Sequence, residues 1–101
     1  MKYKYLESYE LSELIDYCRI NAVKIVINHH NEDKGKIRYY RHLYYGFIYC
    51  KKVFSFIRKR NIRVTNVELY NFIKHQKNNN STHRGIDSAL YDVMNFLVDN
   101  F

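Results

Sequence analysis

The segment from Tyr40 to Ile57 has the most regular apolar pattern in this sequence. Its apolar residues follow one another at steps of three and four: Tyr40, Leu43, Phe47, Cys50, Phe54 and Ile57. Because an α-helix turns once every ~3.6 residues, these side chains share one face of a helix. The chain also has no proline and only three glycines, whereas an all-β domain needs many turn residues. Long helices with short connections are therefore expected.

A second periodic segment precedes it, from about Ser8 to about His29. Its apolar residues recur at helical spacing: Leu11, Leu14, Ile15, Cys18, Ala22, Ile25 and Val26. The second half permits another interpretation, because residues 23–27 are rich in β-branched side chains. We predict a helix, and keep as the alternative a β-hairpin at about 23–45 followed by three helices.

A third helix is predicted after a break at residues 61–64. Thr65 and Glu68 have the spacing of a capping box, in which each side chain accepts from the backbone N–H of the other residue. The helix is expected to continue to about Gln76, and a polar loop follows at residues 78–81.

The last helix is expected to be capped by Ser81 or Thr82 and to finish at Phe101. Its apolar face is formed by Ile86, Leu90, Met94 and Leu97. The four segments together predict an all-α, four-helix compact bundle that forms a single domain over residues 1–101.

Basic charge is concentrated between Lys34 and Val67. Ten of the 17 Lys and Arg residues lie in this segment, which has no Asp or Glu. A helix that is merely solvated usually mixes both signs, so an unmixed block indicates a phosphate or carboxylate partner. Interleaved tyrosines suit a nucleic-acid surface. The predicted contact residues are Arg38, Arg41, Tyr45, Lys52, Arg58, Lys59, Arg60 and Arg63, extended by Lys74, Lys77 and Arg84 around the last loop.

Residues 37–101 resemble the core-binding domain of tyrosine recombinases and phage integrases. The similarity lies in the Phe-rich run and basic turn at 53–62, the segment 64–73, and the last helix with Ser88-Ala89-Leu90 and Asn95-Phe96-Leu97. Gly85 stands where that family usually has an arginine. The resemblance implies a SAM-like bundle that closes over one face of duplex DNA. The family's catalytic half has no counterpart in this sequence, so the resemblance implies either an isolated domain or a stand-alone descendant that binds DNA without cutting it.

Other kinds of site are not predicted. Cys18 and Cys50 lie on predicted apolar faces and are expected in the core. The histidines and cysteines lack the close spacings of zinc sites. There is no paired-carboxylate cluster, nucleophile motif or Gly-rich phosphate loop, so we predict a non-enzyme without metal or cofactor. No apolar run approaches the roughly 18 residues of a membrane span, and no signal-peptide pattern is present, so a soluble cytoplasmic protein is expected.

Two further interpretations stay open. Abundant Ile, Asn, Lys and Tyr are typical of AT-rich genomes such as those of phages and mobile elements. A small basic protein of that origin would also suit an inhibitor, of the anti-CRISPR kind, that binds a host protein or nucleoprotein. Alternatively, the tyrosine-rich face of the second helix would be buried in a homodimer.

Overall fold

The computed structural model describes residues 2–101, which form four α-helices. Helix α1 spans Ser8–His29, α2 spans Lys34–Lys59, α3 spans Asn66–Asn79 and α4 spans Arg84–Asn100. The all-α, four-helix bundle is confirmed, and the first helix has the predicted bounds. In the described residues, extended chain is paired at one isolated bridge, between Tyr5 and Thr65.

The β-hairpin alternative at 23–45 is wrong. Ala22 and Ile25 are buried at helical spacing, whereas Val23, Val26 and Ile27 point to solvent. The β-branched composition of this segment favours a strand, but burial of one helical face stabilises the helix more. Tertiary packing commonly outweighs local propensity in this way.

Helix α2 lies at the centre of the packing. It contacts α1 along one side and α4 along another, while α3 packs against α4. The predicted apolar face of α2 is confirmed, since Phe47, Cys50 and Phe54 are at most 2% exposed. Complete burial of a side chain such as that of Phe54 stabilises the fold by about 1.5–3 kcal/mol.

Two glycines allow α2 and α4 to approach closely. A Cβ atom added at Gly46 would lie 2.5 Å from the Cβ of Ala89, and one added at Gly85 would lie 2.6 Å from the backbone nitrogen of Leu43. The pairing of Gly85 with Leu43 and of Ala89 with Gly46 shows that the two helices run in the same direction. A larger residue at Gly85 would separate them.

A Schellman motif ends α2. Asn61 has a φ of 55°, and the Ile62 N–H donates to the carbonyl of Ile57 over 3.0 Å, while the Asn61 N–H donates to that of Arg58 over 3.1 Å. Asparagine is one of the few residues that tolerate this left-handed position. The motif turns the chain sharply from α2 into the extended segment before α3.

The predicted capping box of α3 is confirmed. Glu68 N–H donates to Thr65 Oγ1 over 3.0 Å, and Thr65 N–H donates to Glu68 Oε1 over 3.1 Å. Helix α3 continues three residues beyond the predicted end, to Asn79.

The predicted cap of α4 is wrong. His83, rather than Ser81 or Thr82, precedes the helix, and its side chain makes no capping hydrogen bond. Because α3 extends to Asn79, residues 80–83 form the connecting turn, in which the His83 N–H donates to the Asn80 carbonyl over 2.9 Å.

No helix within residues 2–101 is both long and apolar enough to cross a membrane.

Candidate nucleic-acid interface

Five predicted contact residues form one row along the outside of α2, which we call the outer row: Arg38, Arg41, Tyr45, Lys52 and Lys59. All five side chains are exposed. Their steps of three, four, seven and seven residues keep them within roughly 60° of one another around the helix axis, opposite Phe47 and Phe54. The rise of ~1.5 Å per residue makes the row roughly 32 Å long.

The outer row carries uncompensated positive charge. Helix α2 contains no acidic residue. The ion pairs found within residues 2–101 involve Lys4, Arg19, His29 and Lys77, and none involves a cation of the outer row. Four exposed cations without carboxylate partners on one helix face favour an anionic ligand.

A polar cleft at the start of α2 brings two of the predicted residues together. Arg38 of α2 and Arg84 of α4 both line this cleft of about 320 Å³. His42 and His83 line it too, with their rings edge-to-face at 5.4 Å. Neither histidine was predicted as a site residue, because only the packing of α4 against α2 brings the pair together.

The other basic residues at the end of α2 and in the turn after it point in different directions. Arg58 Nη1 donates to Ser12 Oγ over 2.7 Å. The Arg63 guanidinium lies 4.3 Å from the ring centroid of Tyr5, and that of Arg60 lies 5.4 Å from the ring centroid of Phe56. This turn therefore spreads positive charge around one end of the molecule, about 30 Å along α2 from Arg38.

The two lysines of α3 differ in their surroundings. Lys77 Nζ lies 3.2 Å from Asp87 Oδ1, so much of its charge is offset within the protein. Its ammonium group also lies 5.8 Å from the ring centroid of Tyr91. Lys74 is exposed and makes no ion pair within residues 2–101. Of these two predicted contacts, Lys74 is the more available to a ligand.

The middle of the outer row borders an apolar groove that was not predicted. Tyr45 and Lys52 line this groove of about 920 Å³, between α2 and α3. The other α2 residues in its wall are Ile48, Tyr49, Val53, Phe56 and Ile57. The apolar periodicity predicted a single apolar face on α2, whereas Phe56 and its neighbours form a second one.

The two cysteines lie in the core, as predicted from their place on apolar faces. Burial raises the pKa of the Cys50 thiol to about 12. Burial, and secondarily the nearby Cys50 and Asp92, also raise the pKa of Cys18. Both thiols are therefore protonated at neutral pH and poorly suited to nucleophilic chemistry. The described residues contain no group of three His, Cys, Asp or Glu side chains arranged to hold a metal ion.

Three tyrosines of this aromatic-rich chain lie in different surroundings. The Tyr17 hydroxyl donates to Asp92 Oδ1 over 2.7 Å, and its ring stacks on Phe96 with centroids 4.0 Å apart. Burial raises the pKa of Tyr49. Tyr45, in contrast, is 52% exposed, so it is the tyrosine of the outer row that is free to contact a ligand.

Comparisons with known proteins do not place this chain in a family. No protein-family model, curated protein or solved structure matches it.

Proposed function

We propose that this protein is a non-catalytic helical module that binds duplex DNA through phosphate contacts. The observation that carries the proposal is the outer row, in which four exposed cations share one face of a helix that has no acidic residue. Releasing the counterions condensed on DNA makes binding by such a surface favourable without base-specific contacts.

The length of the outer row suits a duplex. Its roughly 32 Å compares with ~34–36 Å for one helical turn of B-DNA, so a helix laid parallel to the DNA axis reaches phosphates about one turn apart. Arg84 extends the positive surface beside Arg38, and the basic turn from Arg58 to Arg63 extends it beyond Lys59. Tyr45 lies between the two basic ends, where an exposed ring packs against sugar or base.

The sequence pattern of residues 37–101, which predicted a resemblance to integrase core-binding domains, implies the same kind of ligand, because domains of that family close over one face of a duplex. In this proposal the chain acts on DNA within a cell, as an accessory module of a phage or mobile element. It positions itself on the backbone and leaves any cutting to another protein.

A fluorescence-anisotropy titration tests the proposal. Labelled duplex DNA, single-stranded DNA and RNA of equal length are titrated with the wild-type protein at low salt. The double variant Arg38→Glu/Arg41→Glu is compared with the charge-matched control Arg19→Glu/Lys24→Glu on α1. All four positions are exposed, so folding is expected to be preserved in both variants.

We expect the α2 variant to bind duplex DNA at least about tenfold more weakly than the control, because two phosphate contacts become repulsive. Preference for RNA or single strands would change the proposed ligand. Equal weakening by both double variants would show that net charge, rather than the outer row, determines binding, and would contradict the proposal.

A further inference from the structure

The groove between α2 and α3 is an apolar surface that the fold leaves uncovered. Helices α2 and α3 both pack against α4, and the groove lies between them. Three aromatic side chains in the wall stay largely in solvent: Tyr45 is 52% exposed, Phe56 55% and Phe72 42%. Ile62 and Val64, from the segment between the helices, close one end of the groove.

The shape of the groove fits a helix better than a small molecule. From Tyr45 to Phe56 it follows about three turns of α2, roughly 16 Å. A small-molecule pocket encloses most of its ligand, whereas this trough lies open along its length with half-exposed walls. An amphipathic helix places apolar side chains at steps of three, four and seven residues, which spans a trough of this length.

The charges around the groove are mainly positive. Lys52 lies in the wall, and the Arg60 guanidinium lies over the Phe56 ring at 5.4 Å. Lys59 is three residues from Phe56 on the same helix and therefore lies beside it. The one acidic residue in the wall is Glu68, and its Oε1 already accepts the Thr65 N–H in the capping box.

The positive charge around the groove therefore indicates which kind of ligand can bind there. A second copy of this chain would bring its own Lys52, Lys59 and Arg60 against the same cations, and each copy has a net charge of +7. A helix with acidic residues beside its apolar face would instead pair with these cations while its apolar side chains cover Phe56 and Phe72.

We propose that this groove binds an acidic amphipathic helix of another protein. The partner's apolar residues would pack between α2 and α3, and its Asp and Glu residues would meet Lys52, Lys59 and Arg60. The inference is independent of DNA binding, because it depends on the apolar wall. Tyr45, Lys52 and Lys59 belong to both surfaces, so the two ligands are expected to interfere with each other.

A displayed library of helical peptides tests this inference. Peptides of about four turns, randomised at their surface positions, are selected against the full-length wild-type protein. The enriched peptides are then measured against Phe56→Ser and Phe72→Ser. The matched control is Ile27→Ser, which removes an apolar side chain that is 65% exposed on α1.

We expect enrichment of peptides with apolar anchors at helical spacing and acidic flanks. Phe56→Ser and Phe72→Ser should each weaken their binding at least about tenfold, as loss of a central interface anchor does, while Ile27→Ser leaves it unchanged. Lys52→Glu/Arg60→Glu provides a second variant that leaves the apolar wall intact, and it should weaken binding of acidic peptides by a similar factor.

Three results would overturn the proposal. One is no enrichment, and another is enrichment of peptides whose flanks are neutral or basic. The third is a wild-type dimer in sedimentation that Phe56→Ser dissociates, since the occupant would then be a second copy. DNA binding by Phe72→Ser is measured in parallel. Because Phe72 lines the groove and is not part of the outer row, loss of peptide binding with unchanged DNA binding would concern the groove alone.

Discussion

The side-chain amide of Asn66 donates a hydrogen bond of 2.9 Å to the backbone carbonyl of Phe101. The same amide also donates to the carbonyl of Lys2, and its oxygen accepts the backbone N–H groups of Lys4 and Val67 at 3.1 and 2.9 Å. Asn66 has no exposed surface. One buried side chain therefore joins the segment before α1 and the end of α4 to the start of α3.

Replacement of Asn66 by alanine should destabilise the protein strongly. Several buried backbone groups would lose their partner, and each such group costs about 1–3 kcal/mol. We expect the free energy of unfolding to decrease by about 3 kcal/mol, measured by urea denaturation. Asn71→Ala is the control, because Asn71 is exposed on the same helix; an equal loss in both variants would contradict this role of Asn66.

Close contact between α2 and α4 leads to a prediction for two glycines. At Gly85 an added Cβ overlaps backbone atoms of α2, whereas at Gly35 it meets nothing within 4 Å. Gly85→Ala should therefore lower stability by about 1–3 kcal/mol, as overpacking does. Gly35→Ala should raise it by about 0.5–1 kcal/mol through helix propensity. Thermal unfolding of both variants measures this difference, and opposite signs are expected.

The turn after α2 should respond in opposite ways to two substitutions at Asn61. Asn61 has a φ of 55°, a left-handed conformation that destabilises the fold by roughly 1–2 kcal/mol when the residue has a Cβ atom. Asparagine avoids part of this destabilisation, and glycine avoids all of it. Asn61→Gly should leave the midpoint of urea unfolding unchanged or raise it, and Asn61→Val should lower it. A valine variant as stable as wild type would show that this left-handed position does not constrain the fold.

Acid sensitivity should depend on Glu10, a carboxylate that is 3% exposed. Burial by itself raises the pKa of Glu10, but hydrogen bonds from Lys4 Nζ and the Glu7 N–H outweigh it, so the pKa lies below its usual value of 4.5. A group with a depressed pKa in the folded state stabilises the protein above its ordinary pKa. That stabilisation is lost as the pH falls through and below that value.

The free energy of unfolding, measured from pH 7 down to about pH 3, should therefore decrease more steeply in wild type than in Glu10→Gln. Glu13→Gln is the control on the same helix, since Glu13 is exposed and makes no ion pair within residues 2–101. If Glu10→Gln retained the full acid slope of the wild-type protein, the Lys4–Glu10 pair would not be its source.

The sequence pattern predicted the helices because burial follows helical periodicity in this chain. The face containing Phe47, Cys50 and Phe54 and the Thr65–Glu68 capping box are local features, and both are confirmed. The contacts of Asn66 were not predicted, since they join Lys2, Lys4 and Phe101 across most of the chain. No local pattern signals such long-range pairing.

For the candidate site, too, the sequence predicted local features but not contacts between helices. Composition identified the cations of α2, but it could not show that Lys77 pairs with Asp87 or that Arg84 shares a cleft with Arg38. The groove at Phe56 depends on how α2 and α3 are placed side by side on α4. Helix crossing angles arise from interlocking side chains, and single-helix periodicity does not contain them.

The salt dependence of duplex DNA binding shows whether the cations of the outer row contact phosphates. The logarithm of the association constant is plotted against the logarithm of the salt concentration for wild type and for Arg38→Gln, Arg41→Gln, Lys52→Gln and Lys59→Gln. The α1 variant Lys24→Gln is the control. Contacts by the four cations of the outer row predict a wild-type slope at least as steep as about −4, and loss of one contact should reduce its magnitude by about 1. A slope near zero, or slopes that no outer-row variant changes, would show that the outer row does not bind DNA phosphates.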